Sequence, residues 1–275
     1  MPEPQTDTQT DPQTLRVSHP REGVTQLTLN RPERLNALDH DLVTTLSAEL
    51  DRVRDDRSCR VVVLTGAGGA FCSGLDLFGY GDGEPIDEPL AVLDRQRRIA
   101  HLTEQLHTLP QPVVAAVDGA AAGGGLALVC ASDVRVASTR SVFKVSFITA
   151  GYSACDIGVS WLLPRIVGAG AAHELMLTGR RFDAEEAARI GLVARVVEPE
   201  DVLASALATA EQILANGPGQ VELTKQGMWL ALEMPSLRAG IELENRQQVI
   251  TALTADSAES RAAFLEKRPA TYHRR

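Results

Sequence analysis

Two glycine-bearing segments carry the clearest chemical signal in the sequence. Residues 70–76 read AFCSGLD and residues 118–125 read DGAAAGGG, and each segment follows an apolar run. Glycine lets the backbone after a strand turn sharply and approach a ligand closely, and free N–H groups at such turns bind anions. The pattern therefore predicts two N–H groups, one from each segment, directed at a single oxygen on which negative charge develops.

Strands and helices alternate around these segments. Residues 39–53 carry leucines at helical spacing behind Asp39, a predicted N-cap, and a second helix is predicted over residues 90–109. Strands are predicted over residues 14–18, 24–30, 60–65 and 113–117. Strand, glycine turn and helix thus occur twice in succession, which indicates an α/β fold of stacked ββα-like units rather than one closed parallel barrel.

The second half of the chain is predominantly helical. Short strands are predicted over residues 133–137 and 142–145, and a short helix within residues 181–193 begins behind Asp183 and ends at Gly191. Further helices are predicted over residues 199–216, 218–233, 236–254 and 257–267. We therefore expect three regions, which are a disordered polar tail (1–13), an α/β core (14–198) and a C-terminal helical region (199–275).

Composition argues against several classes of function. The net charge of −9 disfavours general binding to nucleic acid or to an anionic membrane, and no apolar run is long enough to span a bilayer. The four cysteines show no C-x-x-C spacing, which disfavours a zinc site and disulfides, and we expect Cys72, Cys130 and Cys155 to be buried free thiols. Because the first residues lack the features of a secretory signal, we expect a cytoplasmic protein.

Several segments, taken in order, resemble those of the crotonase superfamily, the enoyl-CoA hydratase/isomerase family. The matching segments are residues 29–38 (LNRPERLNAL), 64–66 (LTG), 71–77 (FCSGLDL), 112–125, 162–168 (LLPRIVG), 177–187 and 191–193. Each is a weak pattern alone, but together they extend over the chain after its tail. The resemblance implies a crotonase-like spiral of ββα units, with C-terminal helices that assemble a homotrimer, commonly paired into a hexamer.

The resemblance also implies an acyl-CoA thioester substrate, with coenzyme A as part of the substrate and no separate cofactor. The thioester oxygen would lie between the N–H groups of Leu75 and Gly124, which stabilise an enolate more than the ground state. The residues implied along the pantetheine or nucleotide are Arg34, Leu35 and Ala37. The other residues implied to bind the substrate are Ser73, Gly74, Asp76, Leu77 and Gly123, and the loop after Asp76 would border the acyl pocket. Of these, we expect Asp76 to fix its loop by accepting backbone hydrogen bonds.

The phosphates of coenzyme A require local positive charge in an acidic protein. We expect it from Arg34 together with Lys225 or Lys267, contributed by the helical end of the same or a neighbouring subunit.

The sequence departs from the hydratases of this family at both of their glutamate positions, which are Ala127 and Phe147 here. Neither side chain can accept a proton, whereas addition of water to a double bond needs a base and an acid. Asp156 resembles the catalytic aspartate of dienoyl-CoA isomerases and of an aryl-CoA dehalogenase in the superfamily. The alternative role for Asp156 is the N-cap of the helix that follows it. His101 and His107 are expected to be solvated or core-edge side chains.

Three functions are compatible with these residues. In the first, Asp156 moves a proton on an enolate and isomerises a double bond, because one carboxylate suffices for a 1,3-proton transfer. In the second, Asp156 is the nucleophile of an acyl- or aryl-CoA hydrolase or dehalogenase. In the third, the chain binds acyl-CoA without turnover.

Overall fold

The computed structural model describes residues 13–81, 83 and 87–273. The disordered tail predicted over residues 1–13 lies outside these residues except at Gln13. The described strands are β1 (Leu15–Arg21), β2 (Val24–Leu29), β3 (Val61–Gly66), β4 (Val113–Val117), β5 (Ala120–Ala122), β6 (Val134–Ser138), β7 (Val142–Lys144), β8 (Arg181–Asp183) and β9 (Arg195–Val197). The described α-helices are α1 (His40–Asp55), α2 (Pro89–Thr108), α3 (Gly124–Ala131), α4 (Val159–Val167), α5 (Ala169–Thr178), α6 (Ala184–Arg189), α7 (Val202–Leu214), α8 (Pro218–Ala231), α9 (Leu237–Ala252) and α10 (Ala255–Glu266).

A six-stranded sheet brings the two glycine segments together. β1 and β2 form an antiparallel hairpin, and the remaining neighbours, in the order β2-β3-β4-β6-β9, run parallel. The glycine segments follow β3 and β4, which are adjacent parallel strands. Their carboxyl ends therefore meet at one edge of the sheet, where α/β proteins commonly bind ligands. A second sheet, in the order β5-β7-β8, packs beside that edge.

Both faces of the larger sheet are covered, which explains the unbroken apolar runs of β3 and β4. On one face, Leu42 and Leu46 of α1 belong to the main core cluster. On the other, α7 packs Ala206 and Ala210 against Val61 of β3 and its neighbours. α7 thus completes the core although it belongs to the predicted C-terminal helical region, and the boundary between residues 198 and 199 stays a prediction.

Most predicted elements are present, and both predicted aspartate N-caps are confirmed. Asp39 accepts a hydrogen bond from the N–H of Leu42 and Asp183 accepts one from Glu186. The sequence did not predict β5, β8 and β9, each of three residues, because such strands are too short to show a period of two. The prediction for Cys155 was wrong, since it is exposed whereas the other cysteines are buried.

The last helices leave much apolar surface uncovered. α9 buries none of its residues within this chain, and α10 buries only Asp256 and Ala263. Large apolar side chains here are exposed: Leu237, Val249, Ile250, Leu253, Phe264 and Leu265. Apolar surface of this extent is typical of a face that contacts another chain. None of the helices in the described ranges has the length and apolar character to cross a bilayer.

Candidate functional site

A cavity of about 640 Å³ lies where the two glycine segments approach α2 and the loop after β7. This volume is within the range of small-molecule sites, about 300–1,000 Å³. The wall combines apolar side chains with a few polar and charged ones. The lining residues are Leu38, Ser73, Leu75, Leu77, Val92, Arg95, Gln96, Ile99, Gly123, Gly124, Lys144, Ser146, Phe147, Thr149, Ala150, Tyr152, Asp156 and Ile157.

Leu75 and Gly124 lie in this wall, one from each glycine segment. Leu38 and Leu75 form a parallel bridge. In this bridge the N–H of Leu38 donates to Gly74 O and the N–H of Asp76 donates to Leu38 O, so the N–H of Leu75 takes no part in it. Gly124 is the first residue of α3, where an N–H has no partner inside the helix. Among the hydrogen bonds of the described residues, neither N–H donates to a protein acceptor. Both groups are therefore free to bind a ligand oxygen.

Positive φ angles and close contacts explain the glycines beside these donors. Gly74 has φ +99°, and a Cβ at this position would lie 2.9 Å from Ala122 O and 3.2 Å from Gly124 N. Gly123 has φ +50°, and its Cβ would lie 2.6 Å from Ser146 Oγ. A larger residue at position 74 would push the two donor segments apart, one at position 123 would crowd the Ser146 side chain, and either would strain the backbone.

Buried polar side chains brace the first glycine segment. Asp76 accepts from the N–H of Phe78 at 3.0 Å and pairs with Arg31 Nη2 at 3.0 Å. Its carboxylate is 5% exposed and does not line the cavity, so Asp76 holds its loop and does not face the acyl space. Asn36 is fully buried and donates to Ala70 O at 2.7 Å. The loop is thus fixed by side chains that point away from the cavity.

Asp156 is the one carboxylate among the described residues that line the cavity. Its Oδ1 accepts hydrogen bonds from Gln96 Nε2 and from the N–H of Ile157, the latter at 2.8 Å. α4 begins after Gly158, which occupies the N-cap position without a side-chain cap. The interpretation of Asp156 as a helix N-cap was therefore wrong, because its carboxylate accepts no hydrogen bond from the first turn of α4.

The environment of Asp156 changes its acidity. Burial raises the pKa of the carboxyl group, and the hydrogen bonds from Ile157 and Gln96 oppose this rise. A carboxylate with a raised pKa holds a proton more strongly, which makes it a better base near neutral pH. The adjacent Ile157 has φ +35°, a conformation that is rare for a β-branched residue. Such strain is concentrated at functional sites.

The two positions that correspond to the hydratase glutamates lie in different surroundings. Ala127 is fully buried inside α3, is part of the main core cluster and does not line the cavity. Phe147 does line the cavity, and its ring approaches to 3.6 Å of a Cβ placed on Gly123. Among the described residues, the cavity wall beside the Gly123 turn therefore combines the Phe147 ring with the Ser146 hydroxyl and holds no carboxylate.

The residues expected to contact the CoA moiety or the acyl group are only partly in the wall. Those that line the cavity are Ser73, Leu77 and Gly123, and those that do not are Arg34, Leu35, Ala37, Gly74 and Asp76. Arg34 and Leu35 are exposed beside the cavity, and the Arg34 guanidinium lies 5.1 Å from the Phe78 ring centroid. Ala37 is buried. Contact of the exposed pair with a bound CoA stays a prediction.

The nomination of Lys225 as a phosphate ligand was wrong. Its side chain is 4% exposed, and its ammonium group pairs with Asp133 at 2.8 Å and donates to two backbone carbonyls. No phosphate could reach it without breaking these contacts. Lys267 is exposed at the end of α10, so its nomination stays a prediction.

Neither histidine of α2 lines the cavity. His101 is exposed and lies 3.2 Å from Glu104 Oε2. His107 is at the edge of the core, where its ring packs edge-on against Trp161 and burial lowers its pKa. Both therefore have the solvated or core-edge roles that the sequence predicts.

Sequence reasoning did not nominate four other polar or charged side chains that line the cavity with Asp156. They are Arg95, Gln96, Lys144 and Tyr152. A signal for Gln96 was present, because Val92, Gln96 and Ile99 recur at helical spacing and lie on one face of α2. Nothing in the sequence indicated that this face meets the loop that carries Asp156. In the described part of the chain, no group of three or more His, Cys, Asp or Glu side chains could hold a metal ion.

Comparisons with known proteins find similar sequences and structures. A family model described as enoyl-CoA hydratase/isomerase matches residues 19–275. The chain is 43% identical over 256 residues to the probable enoyl-CoA hydratase echA12 of Mycobacterium bovis, which covers 92% of this chain and 90% of the relative. It is 35% identical over 252 residues to the 1,2-epoxyphenylacetyl-CoA isomerase of Escherichia coli, with 92% and 95% covered. The crystal structure of an enoyl-CoA hydratase from Bacillus anthracis superposes with a TM-score of 0.90 at 34% identity, with 96% of this chain and 100% of that chain covered.

Proposed function

Because the chain belongs to the enoyl-CoA hydratase/isomerase family and has the predicted crotonase-like α/β fold, we propose that it isomerises the double bond of an enoyl-CoA thioester. The observation that carries this proposal is that one carboxylate, Asp156, faces a cavity that also contains two free backbone donors.

The proposed reaction is a 1,3-proton transfer. Asp156 takes a proton from the α-carbon of a 3-enoyl thioester, and the electron pair of that C–H bond forms a dienolate with negative charge on the thioester oxygen. The N–H groups of Leu75 and Gly124 donate to this oxygen. Asp156 then returns the proton to the γ-carbon, which gives the 2-enoyl thioester and restores the carboxylate. Protons and electrons balance without a co-reactant or a separate cofactor.

The expected sizes of the two effects support these roles, in which the backbone donors stabilise the charged oxygen and Asp156 transfers the proton. Loss of a single oxyanion donor costs about 2.7–4 kcal/mol of transition-state stabilisation in other enzymes. A positioned base contributes about 10²–10⁴-fold. Hydration would need a second group to activate water, and Ala127 and Phe147 supply none. We therefore propose that hydration is slow compared with isomerisation.

We further propose that the chain forms a homotrimer or a dimer of trimers. The support is the exposed apolar surface of α9 and α10, including Leu253 and Phe264, which are each 83% exposed in the single chain. A closed assembly would remove this surface from water.

The decisive experiment compares two reactions in two variants. A panel of 3-enoyl-CoA esters is assayed for conjugation of the double bond, and crotonyl-CoA is assayed for hydration. Asp156→Asn should lower kcat for isomerisation by about 10²–10⁴-fold with little change in KM. Asp94→Asn is the matched control, because Asp94 is exposed on α2 and pairs with Arg97 away from the cavity.

Three outcomes would contradict the proposal. Rapid hydration of crotonyl-CoA that survives Asp156→Asn would show that the hydratase reaction proceeds without this residue. A covalent adduct on Asp156, detected by mass spectrometry after quenching with aryl-CoA substrates, would favour the nucleophilic alternative. Saturable binding of CoA esters with no turnover across the panel would favour a binding protein.

A further inference from the structure

Asp156 is held in place by a residue from another element. Gln96 lies on α2, sixty positions earlier in the chain, and its Nε2 donates a hydrogen bond to Asp156 Oδ1. Both side chains are partly buried and both line the cavity. The contact therefore joins the helix wall of the cavity to the loop that supplies its carboxylate.

The two oxygens of the carboxylate are not equivalent. Oδ1 accepts two hydrogen bonds, from Gln96 Nε2 and from the N–H of Ile157. Among the hydrogen bonds of the described residues, none is donated to Oδ2. A carboxylate oxygen that already accepts two donors is a weaker proton acceptor than its free partner. The geometry thus leaves Oδ2 as the oxygen that can receive a proton from a substrate.

Both donors to Oδ1 are rigidly held. Gln96 is on the same helix face as Ile99, which is 5% exposed and anchored in the main core. The N–H of Ile157 is fixed by an unusual backbone conformation, φ +35°. A strained peptide persists only where surrounding contacts over-determine it. The contact with Gln96 is one of the contacts that can hold this loop.

The hydrogen bonds act on a carboxylate with few charged neighbours. The other titratable or charged side chains lining the cavity are Arg95 from α2, Lys144 from β7 and Tyr152 from the loop after β7. Beyond Ile157, the neighbouring groove is lined by Glu104, His107 and Glu233. Burial is the main cause of the raised pKa of Asp156, and the hydrogen bonds from Ile157 and Gln96 lower that pKa.

We propose that Gln96 is a positioning residue, which holds Oδ1 of Asp156 so that Oδ2 faces the substrate as the proton acceptor. This inference rests on the proposed isomerase function. Because Gln96 donates to the carboxylate, it favours the charged form, which is the form that acts as a base. Its removal has two consequences: the carboxyl group is harder to ionise, and its orientation is restrained only by the hydrogen bond from the N–H of Ile157.

The test uses Gln96→Met, which has a similar length and no donor, and Gln96→Glu, which places a second acid beside Asp156. The activity of a base rises as pH increases through its pKa, so the acidic limb of the kcat profile should move to higher pH in both variants. For Gln96→Met we expect a shift of about one pH unit, since a hydrogen bond to a charged group contributes energy of that order. For Gln96→Glu we expect a larger shift, because two neighbouring carboxyl groups do not both ionise readily.

At the pH optimum, Gln96→Met should lower kcat about tenfold while KM changes little, as misplacement of a reacting group affects the chemical step. Arg97→Gln, on the exposed side of the same helix, is the control and should leave both the profile and kcat unchanged. Adding Gln96→Met to Asp156→Asn should cause no further loss, because a residue that acts through Asp156 has nothing left to position.

The outcomes separate this inference from the proposed function. If Asp156→Asn abolishes turnover but Gln96→Met leaves the pH profile and kcat like those of the parent, the positioning role is wrong and the proposed function stands. If Asp156→Asn itself keeps full isomerase activity, the proposed function is wrong, and so is the positioning role that rests on it. A loss of kcat in Gln96→Met without any shift of the acidic limb would indicate a general packing role and would overturn the inference. Circular dichroism and thermal unfolding check that each variant is folded.

Discussion

Lys225 Nζ lies 2.8 Å from Asp133 Oδ2, and both side chains are buried. The second oxygen of Asp133 accepts from Trp229 Nε1 at 2.8 Å, and the ammonium group also donates to the carbonyls of Leu106 and Gln111. This pair ties α8 to the start of β6 and to the end of α2. The C-terminal helices are therefore attached to the core by a buried, fully bonded cluster as well as by α7.

We expect Lys225→Met to destabilise the fold, because it leaves the Asp133 carboxylate buried without its counter-ion. Removal of one partner of a buried pair costs about 3–5 kcal/mol. Lys267→Met is the matched control and should cost little, since Lys267 is exposed. Urea unfolding measures both. Equal unfolding midpoints for the two variants would contradict the structural role of Lys225. A loss of CoA-ester affinity in folded Lys225→Met would show that Lys225 is a phosphate ligand after all.

The spacing of the two backbone donors can be tested through Gly74. A Cβ in Gly74→Ala would crowd Ala122 O and Gly124 N, so we expect kcat/KM to fall by about 10²–10³-fold, the loss typical of a missing oxyanion donor. Gly81→Ala is the control, because Gly81 also has a positive φ but has open space around its Cβ. Both substitutions place alanine at a positive φ, so the backbone strain is similar, and only Gly74→Ala adds a close contact with the second glycine segment. Similar kinetics for the two variants would show that the Gly74 contact is unimportant for turnover.

The ionisation of Asp156 should oppose folding. Because burial raises its pKa, the folded state binds more protons than the unfolded state between the ordinary and the raised pKa, and the free energy of unfolding falls as pH rises through this interval. Asp156→Asn lacks the charge, so its Tm should exceed that of the parent at neutral pH. We expect a gain of no more than about 2–4 °C, which corresponds to about 1 kcal/mol for a chain of this size.

Thermal unfolding over a range of pH checks this sign. The gain should shrink as pH falls below the ordinary aspartate pKa of about 3.9, where the parent carboxyl group is protonated in both states. A Tm difference that stays constant with pH would indicate a packing effect, and a lower Tm at neutral pH would show that the ionised carboxylate stabilises the fold.

The proposed assembly predicts a solution mass of three or six times the chain mass of 29.5 kDa. Leu253→Asp and Phe264→Asp place charge on the exposed apolar side of α9 and α10, and we expect each to shift the distribution toward smaller species. Light scattering after size exclusion measures this. Glu242→Gln, a polar change on the exposed surface of α9, is the control. A parent protein with the mass of one chain would rule out the trimer.

Sequence patterns were sufficient for the regular elements and for the two glycine segments. Strands, long helices and N-caps depend on local periodicity and on single capping residues such as Asp39, which a sequence displays directly. The glycine segments themselves suggested a pair of backbone donors, but residues 75 and 124 were nominated through the resemblance to the enoyl-CoA hydratase/isomerase family. The adjacency of the two segments is shown by the structure, in which β3 and β4 are neighbours.

The remaining parts of the site depend on contacts between distant residues. Gln96 meets Asp156 across sixty positions, and no local pattern predicts which face of α2 the loop approaches. Lys225 looked like an available cation because lysine is almost always exposed, and only the fold reveals the buried aspartate that compensates its charge. The role of Asp156 was ambiguous for the same reason, since an aspartate before a helix is usually a cap and here the following glycine takes that position.

The packing of Ala127 bears on how this chain could acquire a different chemistry. Its methyl group has no exposure to solvent and belongs to the main core cluster, so a longer acidic side chain there would require neighbouring side chains to move. An acid introduced at this position alone would therefore disturb the core before it could serve a water molecule. The choice of reaction in this chain thus depends on how its interior is packed as well as on the side chains that line its cavity.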